Sequence, residues 1–291
     1  MLTFVLRTLV FLSGALFLAP SFGLMAADSE KDLAVSERSS SVLLAKADSD
    51  DDDEDTGKTE TPKGNQVVFI GMDISGSFKN SPYYEDSIKF ISHYIYARVH
   101  GLGGLKTMGS LFIGSIGGAK VNEPKTFYPI QTFQYKSIPE IEKQLHEIFP
   151  VNVTNKFTDF NAFFEQVATF MKNKKLLMKT TDVIMLTDGI PDAPTPQGRT
   201  NFQMLDLKPF ENLSRKITVR VLYTSAQTGA NWQSQVPRRR VRVWTQDATV
   251  MSGWKAPDLF LKDTPIEKQE RWFKWVLDNV DFPVKPKRVT N

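Results

Sequence analysis

Short, almost uninterrupted apolar segments are the feature that most constrains the fold of this chain. Residues 66–72 and 182–186 read Gln-Val-Val-Phe-Ile-Gly-Met and Asp-Val-Ile-Met-Leu, without regular alternation of polar and apolar positions. Runs of this length and composition are typical of strands that are buried on both faces of a sheet. Residues 110–114 and 217–223 are predicted strands as well, and residues 241–244 are a predicted edge strand.

Helical patterns separate these strands. Residues 83–99 carry apolar side chains at helical spacing, and residues 138–149, 159–171 and 265–280 are predicted helices too. Strands that alternate with helices of this length predict a doubly wound α/β fold, in which helices cover both faces of a mostly parallel central sheet. Residues 190–216 are predicted to form a long loop at one rim of this sheet, where they could contact a partner.

The first 27 residues have the order of a secretory signal. Arg7 precedes an apolar stretch at residues 8–19, and Pro20 and several small residues follow. We therefore expect a protein outside the cytosol, either periplasmic or secreted. If the segment were retained, residues 8–27 would span about 30 Å as a helix and could tether the chain to a membrane.

Charge divides the remaining chain into two parts. Residues 28–64 hold 12 acidic and five basic side chains and few aliphatic ones, which predicts a disordered acidic linker. Its acidic run at residues 48–55 lacks the glycine and the glutamate of an EF-hand loop. Residues 65–291 hold 21 acidic and 30 basic side chains and form the predicted globular domain. The chain has no cysteine, which excludes disulfides, thiolate nucleophiles and cysteine-based zinc sites.

Polar clusters follow the predicted strands. Asp73, Ser75 and Ser77 come directly after the first strand, Thr158 stands at the start of a helix, and Asp188 follows the strand at 182–186 within Thr-Asp-Gly. In open α/β sheets, ligands bind at the carboxyl ends of the strands. Carboxylate and hydroxyl oxygens suit a hard cation such as Mg²⁺, Mn²⁺ or Ca²⁺ better than zinc or copper.

The order of these clusters resembles the metal-ion-dependent adhesion site, or MIDAS, of von Willebrand factor A-type domains. The resemblance covers residues 66–192 and departs from the family at Phe157, where a glycine is common. It implies that a divalent cation is held by Asp73, Ser75, Ser77, Thr158 and Asp188. It also implies that the cation keeps one open coordination position, where an Asp or Glu of a protein partner binds.

The resemblance implies a binding module, in adhesion or in the assembly of an envelope complex, and not an enzyme. A metal-dependent hydrolase is an alternative, with Asp192 or Asp159 as the only candidate bases. A second alternative is a structural domain with a silent site, that is, a site that has no role in binding, because Asp73, Ser75 and Ser77 could be turn or cap residues. Thr158 could likewise cap the following helix.

The basic segment at residues 237–242, Pro-Arg-Arg-Arg-Val-Arg, is the remaining candidate for binding. It could attract an acidic protein or anionic lipid, or it could be merely exposed. Because export is predicted, we do not expect a nucleic-acid partner. The three histidines, His93, His100 and His146, lack the neighbouring groups of a catalytic site.

Overall fold

A computed structural model of the protein describes residues 66–105, 109–150, 152–214 and 216–284. The predicted signal segment, the alternative tether and the acidic linker lie outside the described residues. Among the helices of the described part, none is long and apolar enough to cross a membrane.

The strands of the described part form one large sheet and one small hairpin. They are β1 (Gln66–Asp73), β2 (Ser110–Ile116), β3 (Tyr128–Pro129), β4 (Thr180–Leu186), β5 (Pro194–Thr195), β6 (Gly198–Arg199), β7 (Ile217–Thr224) and β8 (Arg242–Asp247). The large sheet has the order β3-β2-β1-β4-β7-β8, and β5 pairs with β6. All neighbours in the large sheet are parallel except the edge strand β3, which is antiparallel to β2.

Helices cover both faces of the large sheet, which confirms the predicted doubly wound α/β fold. They are α1 (Gly76–Lys79), α2 (Tyr83–His100), α3 (Ile138–Ile148), α4 (Phe160–Asn173), α5 (Lys208–Glu211), α6 (Ala226–Ser234), α7 (Ala248–Ser252) and α8 (Glu270–Asn279). The predicted helix at 265–280 is shorter than expected, since a 3₁₀ turn at Ile266–Lys268 precedes α8.

The central strand β1 divides the core into two layers. Val68, Ile70 and Met72 pack into the cluster that contains the buried side chains of α2 and α8. Val67 and Phe69 point to the opposite face and pack with α4. Because both faces are covered, β1 needs apolar side chains at consecutive positions, which explains its uninterrupted apolar sequence.

The segment at residues 190–216 is more ordered than the long loop that the sequence predicted. It contains the β5–β6 hairpin, a 3₁₀ turn at Phe202–Met204 and α5. Phe210 of α5 is buried against Phe164 of α4, with ring centroids 5.4 Å apart. The buried side chains of this segment pack into the same core cluster as α4: Leu205, Leu207, Phe210 and Leu213. They are irregularly spaced, so the sequence gives no periodic signal.

The sheet has its topological switch point between β1 and β4. The chain proceeds from β1 outwards through β2 to β3, and then continues from β4 on the other side of β1. Doubly wound sheets bind ligands in the crevice outside the carboxyl ends of the strands at this point. Asp73 at the end of β1 and Asp188 just beyond β4 lie at this crevice.

We expect Gly71→Ala to destabilise the domain by about 2 kcal/mol, because there is no room for a methyl group on β1. A Cβ at this position would lie 2.7 Å from Phe163 Cζ and 2.8 Å from two carbons of Ile116. Chemical denaturation measures the change in the free energy of unfolding. The matched control is Gly253→Ala, where the added carbon would meet no atom beyond its own local backbone within 4 Å. Equal stability of the two variants would contradict the described packing of β1.

Candidate metal centre

The carboxylate of Asp73 is held rigidly at the end of β1. The side chain is fully buried. Its Oδ1 accepts a hydrogen bond from the backbone N–H of Ser75 at 2.8 Å. Its Oδ2 accepts one from the hydroxyl of Thr187 at 2.6 Å, which joins the ends of the neighbouring strands β1 and β4. Thr187 is a positioning residue to which the sequence analysis assigned no role.

Ser75 and Ser77 present their hydroxyls to each other. Ser75 occupies the N-cap position of α1, but its side chain makes no capping hydrogen bond. Its Oγ lies instead 3.3 Å from Oγ of Ser77, which is exposed at the surface of the crevice. The structure therefore does not support the alternative in which Ser75 serves as a helix cap.

Asp188 brings a second carboxylate close to Asp73. Burial and, to a smaller extent, the negative charge of Asp188 together raise the pKa of Asp73 to about 6, against the opposing hydrogen bonds from Thr187 and Ser75. Asp188 is half-buried, and its Oδ1 accepts a hydrogen bond from the Ile190 N–H at 3.1 Å. A buried carboxylate beside a second negative charge is a site that a cation would stabilise.

Thr158 reaches the same end of the sheet through its backbone. It is buried and pairs with Asp192 by two backbone hydrogen bonds, at 3.0 and 3.2 Å. Asp159, not Thr158, occupies the N-cap position of α4, where its side chain accepts from Ala162 N at 3.0 Å. The alternative in which Thr158 caps this helix is therefore wrong, and its hydroxyl is not used for that purpose.

Gly117 allows the segment that carries Thr158 to approach the sheet. It follows β2 in the left-handed conformation, with φ of +75°, and a Cβ there would lie 1.9 Å from the carbonyl oxygen of Phe157. Only glycine fits such a position without strain. Phe157 contributes its backbone to this contact, since its carbonyl also accepts from Gly118 N at 3.2 Å. Because Gly117 contacts the backbone of Phe157, this close approach does not depend on which side chain stands at residue 157.

Lys79 fastens the loop that precedes this segment. Its ammonium group donates to the carbonyl oxygens of Pro150, at 2.5 Å, and of Val153. The side chain is largely buried, and this burial lowers its pKa. Asn155 continues the attachment, because its N–H donates to the Ile74 carbonyl at 2.8 Å, directly beside Ser75. Neither Lys79 nor Asn155 was singled out from the sequence.

The two candidate bases of a hydrolase are both engaged elsewhere. Asp192 forms an ion pair with Arg199 of the β5–β6 hairpin. Asp159 caps α4 as described and also accepts from Asn122 N at 3.4 Å. His93 is no better placed for catalysis, since it packs among aromatic rings, with the centroid of Trp254 5.0 Å away.

The basic segment at 237–242 is not one continuous patch. Arg238 donates to the carbonyl oxygens of Trp232, Val236 and Gln233 at the end of α6, at 2.8 to 3.1 Å. Its role is therefore to complete the helix terminus. Arg239 and Arg240 are exposed.

The set of oxygens at the switch point fits a hard divalent cation. Hydrogen bonds join Asp73, Ser75 and Thr187, Ser77 faces Ser75, and the charge of Asp188 acts on Asp73. Within the described residues, no three His, Asp or Glu side chains are grouped in a way that could hold a metal. A cation at the crevice would therefore need hydroxyl ligands as well as carboxylates, which is the chemistry of magnesium or manganese.

Replacing Asp73 by Asn is expected to stabilise the metal-free protein at neutral pH. The pKa of about 6 in the folded state exceeds the ordinary 3.8, so the folded protein binds this proton more tightly than the unfolded chain. The free energy of unfolding should therefore fall as pH rises from 3.8 to about 6, and stay level above. The loss is on the order of 3 kcal/mol, from about 1.4 kcal/mol for each pH unit of the shift.

Denaturation in the presence of a chelator, at pH 4 and at pH 7, measures this effect. Wild type and Asp73→Asn should be similar at pH 4, and the variant should be more stable at pH 7. Added Mg²⁺ should stabilise only the wild type. A variant less stable than wild type at pH 7 without metal would show that the Asp73 carboxylate is not electrostatically strained.

Thr187→Val tests the hydrogen bond that orients Asp73. We expect an unfolding free energy lower by about 1–2 kcal/mol, together with weaker binding of Mg²⁺, because the carboxylate loses a buried donor. Titration calorimetry measures the metal affinity. The control is Thr181→Val, which is equally buried at the other end of β4 and donates to Lys179 O at 3.1 Å. If both variants bound Mg²⁺ like the wild type, Thr187 would have no positioning role.

Comparison with known proteins adds the following. No protein-family model matches the chain, and no curated protein sequence matches it. Proximal thread matrix protein 1 from the mussel byssus has a similar solved structure, with 14% identity and a TM-score of 0.43 over 65% of this chain and 46% of that one. This chain thus spans less than half the length of that protein.

Two further structures have similar folds. Manganese-loaded TRAP protein of Plasmodium vivax is 15% identical, with a TM-score of 0.41 over 66% of this chain and 72% of that one. The SpRpn10 VWA domain is 9% identical, with a TM-score of 0.38 over 76% and 99%. At these identities and scores, the likenesses imply nothing about function. The parallel strand order, the switch point between β1 and β4 and the oxygen cluster there are features of this chain itself. It has a doubly wound α/β fold with a mostly parallel sheet.

Proposed function

We propose that this chain is an exported, metal-dependent protein-binding module. In this proposal Asp73, Ser75, Ser77, Thr158 and Asp188 hold a divalent cation, and a carboxylate of a protein partner completes its coordination. The observation that carries the proposal is the buried Asp73 carboxylate, which lies beside Asp188 and has a pKa raised to about 6. Folding concentrates negative charge at this crevice, and a cation offsets the cost.

The composition of the site favours an acidic partner. Only Asp73 and Asp188 carry charge, and the other three ligands are hydroxyls. Two carboxylates balance a divalent cation without a surplus of negative charge that would repel an incoming acid. A bound cation would supply an open coordination position for that acid. Ser77 is exposed and Asp188 half-buried, so the site can be reached from outside.

Mg²⁺ is the proposed native ion, with Mn²⁺ or Ca²⁺ as substitutes. All three are hard cations that prefer oxygen ligands, and the five proposed ligands offer only oxygen. Thr158 is included in this ligand set because of the position of its backbone, which is set by the pairing with Asp192.

Location outside the cytosol is proposed from the sequence of residues 1–27. A charged start, an apolar stretch and small residues are the features of an export signal. A periplasmic or secreted protein whose bound cation coordinates an acidic side chain of a partner would suit adhesion or the assembly of an envelope complex. If the signal were retained, residues 8–27 would tether the module at a membrane.

A binding role is favoured over hydrolysis because neither candidate base is available at the crevice. Asp192 is paired with Arg199, and Asp159 caps α4. A silent structural site differs from the proposal in one measurable respect. In that case, Mg²⁺ would change neither the stability of the chain nor its recovery of a partner.

Affinity capture from the envelope or medium of the source cells tests the proposal. The immobilised chain should recover a partner in Mg²⁺ and lose it in a chelator, and Asp73→Asn should recover none under either condition. Asp263→Asn is the matched control, because Asp263 lies in an exposed turn and the substitution removes the same charge. Replacing acidic side chains of the recovered partner one at a time should then identify the residue that binds the metal. Equal recovery with and without the ion would exclude metal-dependent binding.

A further inference from the structure

A cavity lies at the amino-terminal ends of the parallel strands, opposite to the metal centre at their carboxyl ends. Its volume is about 560 Å³, and it is lined at the amino-terminal ends of four parallel strands by Gln66 of β1, Thr180 of β4, Thr218 of β7 and Arg242 of β8. Small-molecule sites in proteins commonly have volumes of about 300–1,000 Å³. Neither the family resemblance nor the proposed function assigns a role to this cavity.

The strand register places its charged groups on one face. Asp182, Thr218 and Arg242 are register partners across β4, β7 and β8, and Arg220 stands two residues beyond Thr218 on the same side of β7. Side chains of register partners point to the same face of a sheet. Four cationic and two acidic side chains among the described residues line the cavity: Arg98, Lys216, Arg220, Arg242, Asp182 and Asp281.

Both carboxylates are already neutralised. Asp182 accepts from Arg220 Nε at 3.1 Å and from Gln66 Nε2 at 2.7 Å. Asp281 forms an ion pair with the buried Arg98. The positive charges of Lys216 and Arg242 are left over, and Arg242 has neither an ion pair nor a side-chain hydrogen bond with any described residue. The cavity wall therefore carries an excess of two positive charges.

Arg220 has a donor that nothing in the described part of the chain accepts. Its side chain is only 3% exposed. Its Nε bonds Asp182 and its Nη2 donates to the Phe282 carbonyl at 2.6 Å, but Nη1 is buried without a hydrogen-bond partner. Leaving a buried charged donor unpaired is costly, so this atom needs an acceptor from outside the chain, either a water molecule or a ligand.

The remaining wall is apolar. Leu105 follows α2, Leu277 belongs to α8, and Phe282, Pro283 and Val284 follow α8. The Phe282 ring lies 5.2 Å from the Arg220 guanidinium, so the apolar wall directly adjoins the cationic one. A ligand that fits both walls has an anionic end and an apolar body.

We propose that this cavity binds a small organic anion, with a carboxylate or phosphate group directed at Arg220 and Arg242 and an apolar chain against Leu277 and Phe282. Either anion offers the acceptor oxygens that the Arg242 guanidinium lacks, and its charge complements the buried Arg220 guanidinium. The site is independent of the metal centre and requires no divalent ion.

Calorimetric titration of the full chain in the presence of a chelator tests this inference, with octanoate and octyl phosphate as probes. We expect saturable binding of at least one of them, and the preferred probe distinguishes a carboxylate from a phosphate site. Arg242→Gln should weaken that binding about tenfold, the loss expected for one charge-assisted hydrogen bond. Arg240→Gln is the control, because Arg240 carries the same charge nearby but does not line the cavity.

Further probes and one further variant distinguish the contributions of the cationic wall and the apolar wall to binding. Octanol and inorganic phosphate should each bind more weakly than the preferred octyl anion, and Leu277→Ala should weaken the octyl anion without affecting inorganic phosphate. Thermal melting checks that each variant is folded. The inference is overturned if neither octyl anion binds, if octanol or inorganic phosphate binds as tightly, or if Arg242→Gln binds like the wild type.

Discussion

The hydrogen bond from the Thr187 hydroxyl to Asp73 is the interaction on which the candidate metal centre depends. It joins the ends of β1 and β4 at the switch point of the sheet and keeps a buried carboxylate in one orientation. It also lowers the pKa of Asp73, whereas burial and Asp188 raise it. The charged Asp73 carboxylate therefore destabilises the folded domain when no cation is bound. A cation that binds there would offset this loss of stability.

Much of this arrangement could be predicted from the sequence, because it depends on short-range patterns. The apolar runs of β1 and β4 are continuous since both faces of these strands are covered. The carboxyl ends of parallel strands meet at one edge, so residues that directly follow two buried strands must come close together. Asp73 and Asp188 could therefore be placed at one crevice from their positions in the chain alone.

Other parts depend on contacts between distant segments and left no such signal. Gly117 is needed only because the Phe157 backbone crosses directly against it, and Lys79 is buried only because two carbonyl groups of a later loop surround its amine. The alternative in which Thr158 caps α4 is one residue too early, since Thr158 and Asp159 are both common capping residues and Asp159 is the one that caps. Helix α6 was missed because its nine residues are mostly polar and contain Gly229.

The polar groups at the two ends of β4 lie far apart on the scale over which charges interact in salt solution. Asp188 lies six positions after Asp182, which is about 20 Å along an extended strand. Mobile ions screen exposed charges over about 8 Å at physiological ionic strength. The solvent path between an anion at the amino-terminal ends and a cation at the carboxyl ends is therefore screened, whereas the path through the buried interior is screened much less. The packed strands and helices between the two sites offer a mechanical route as well.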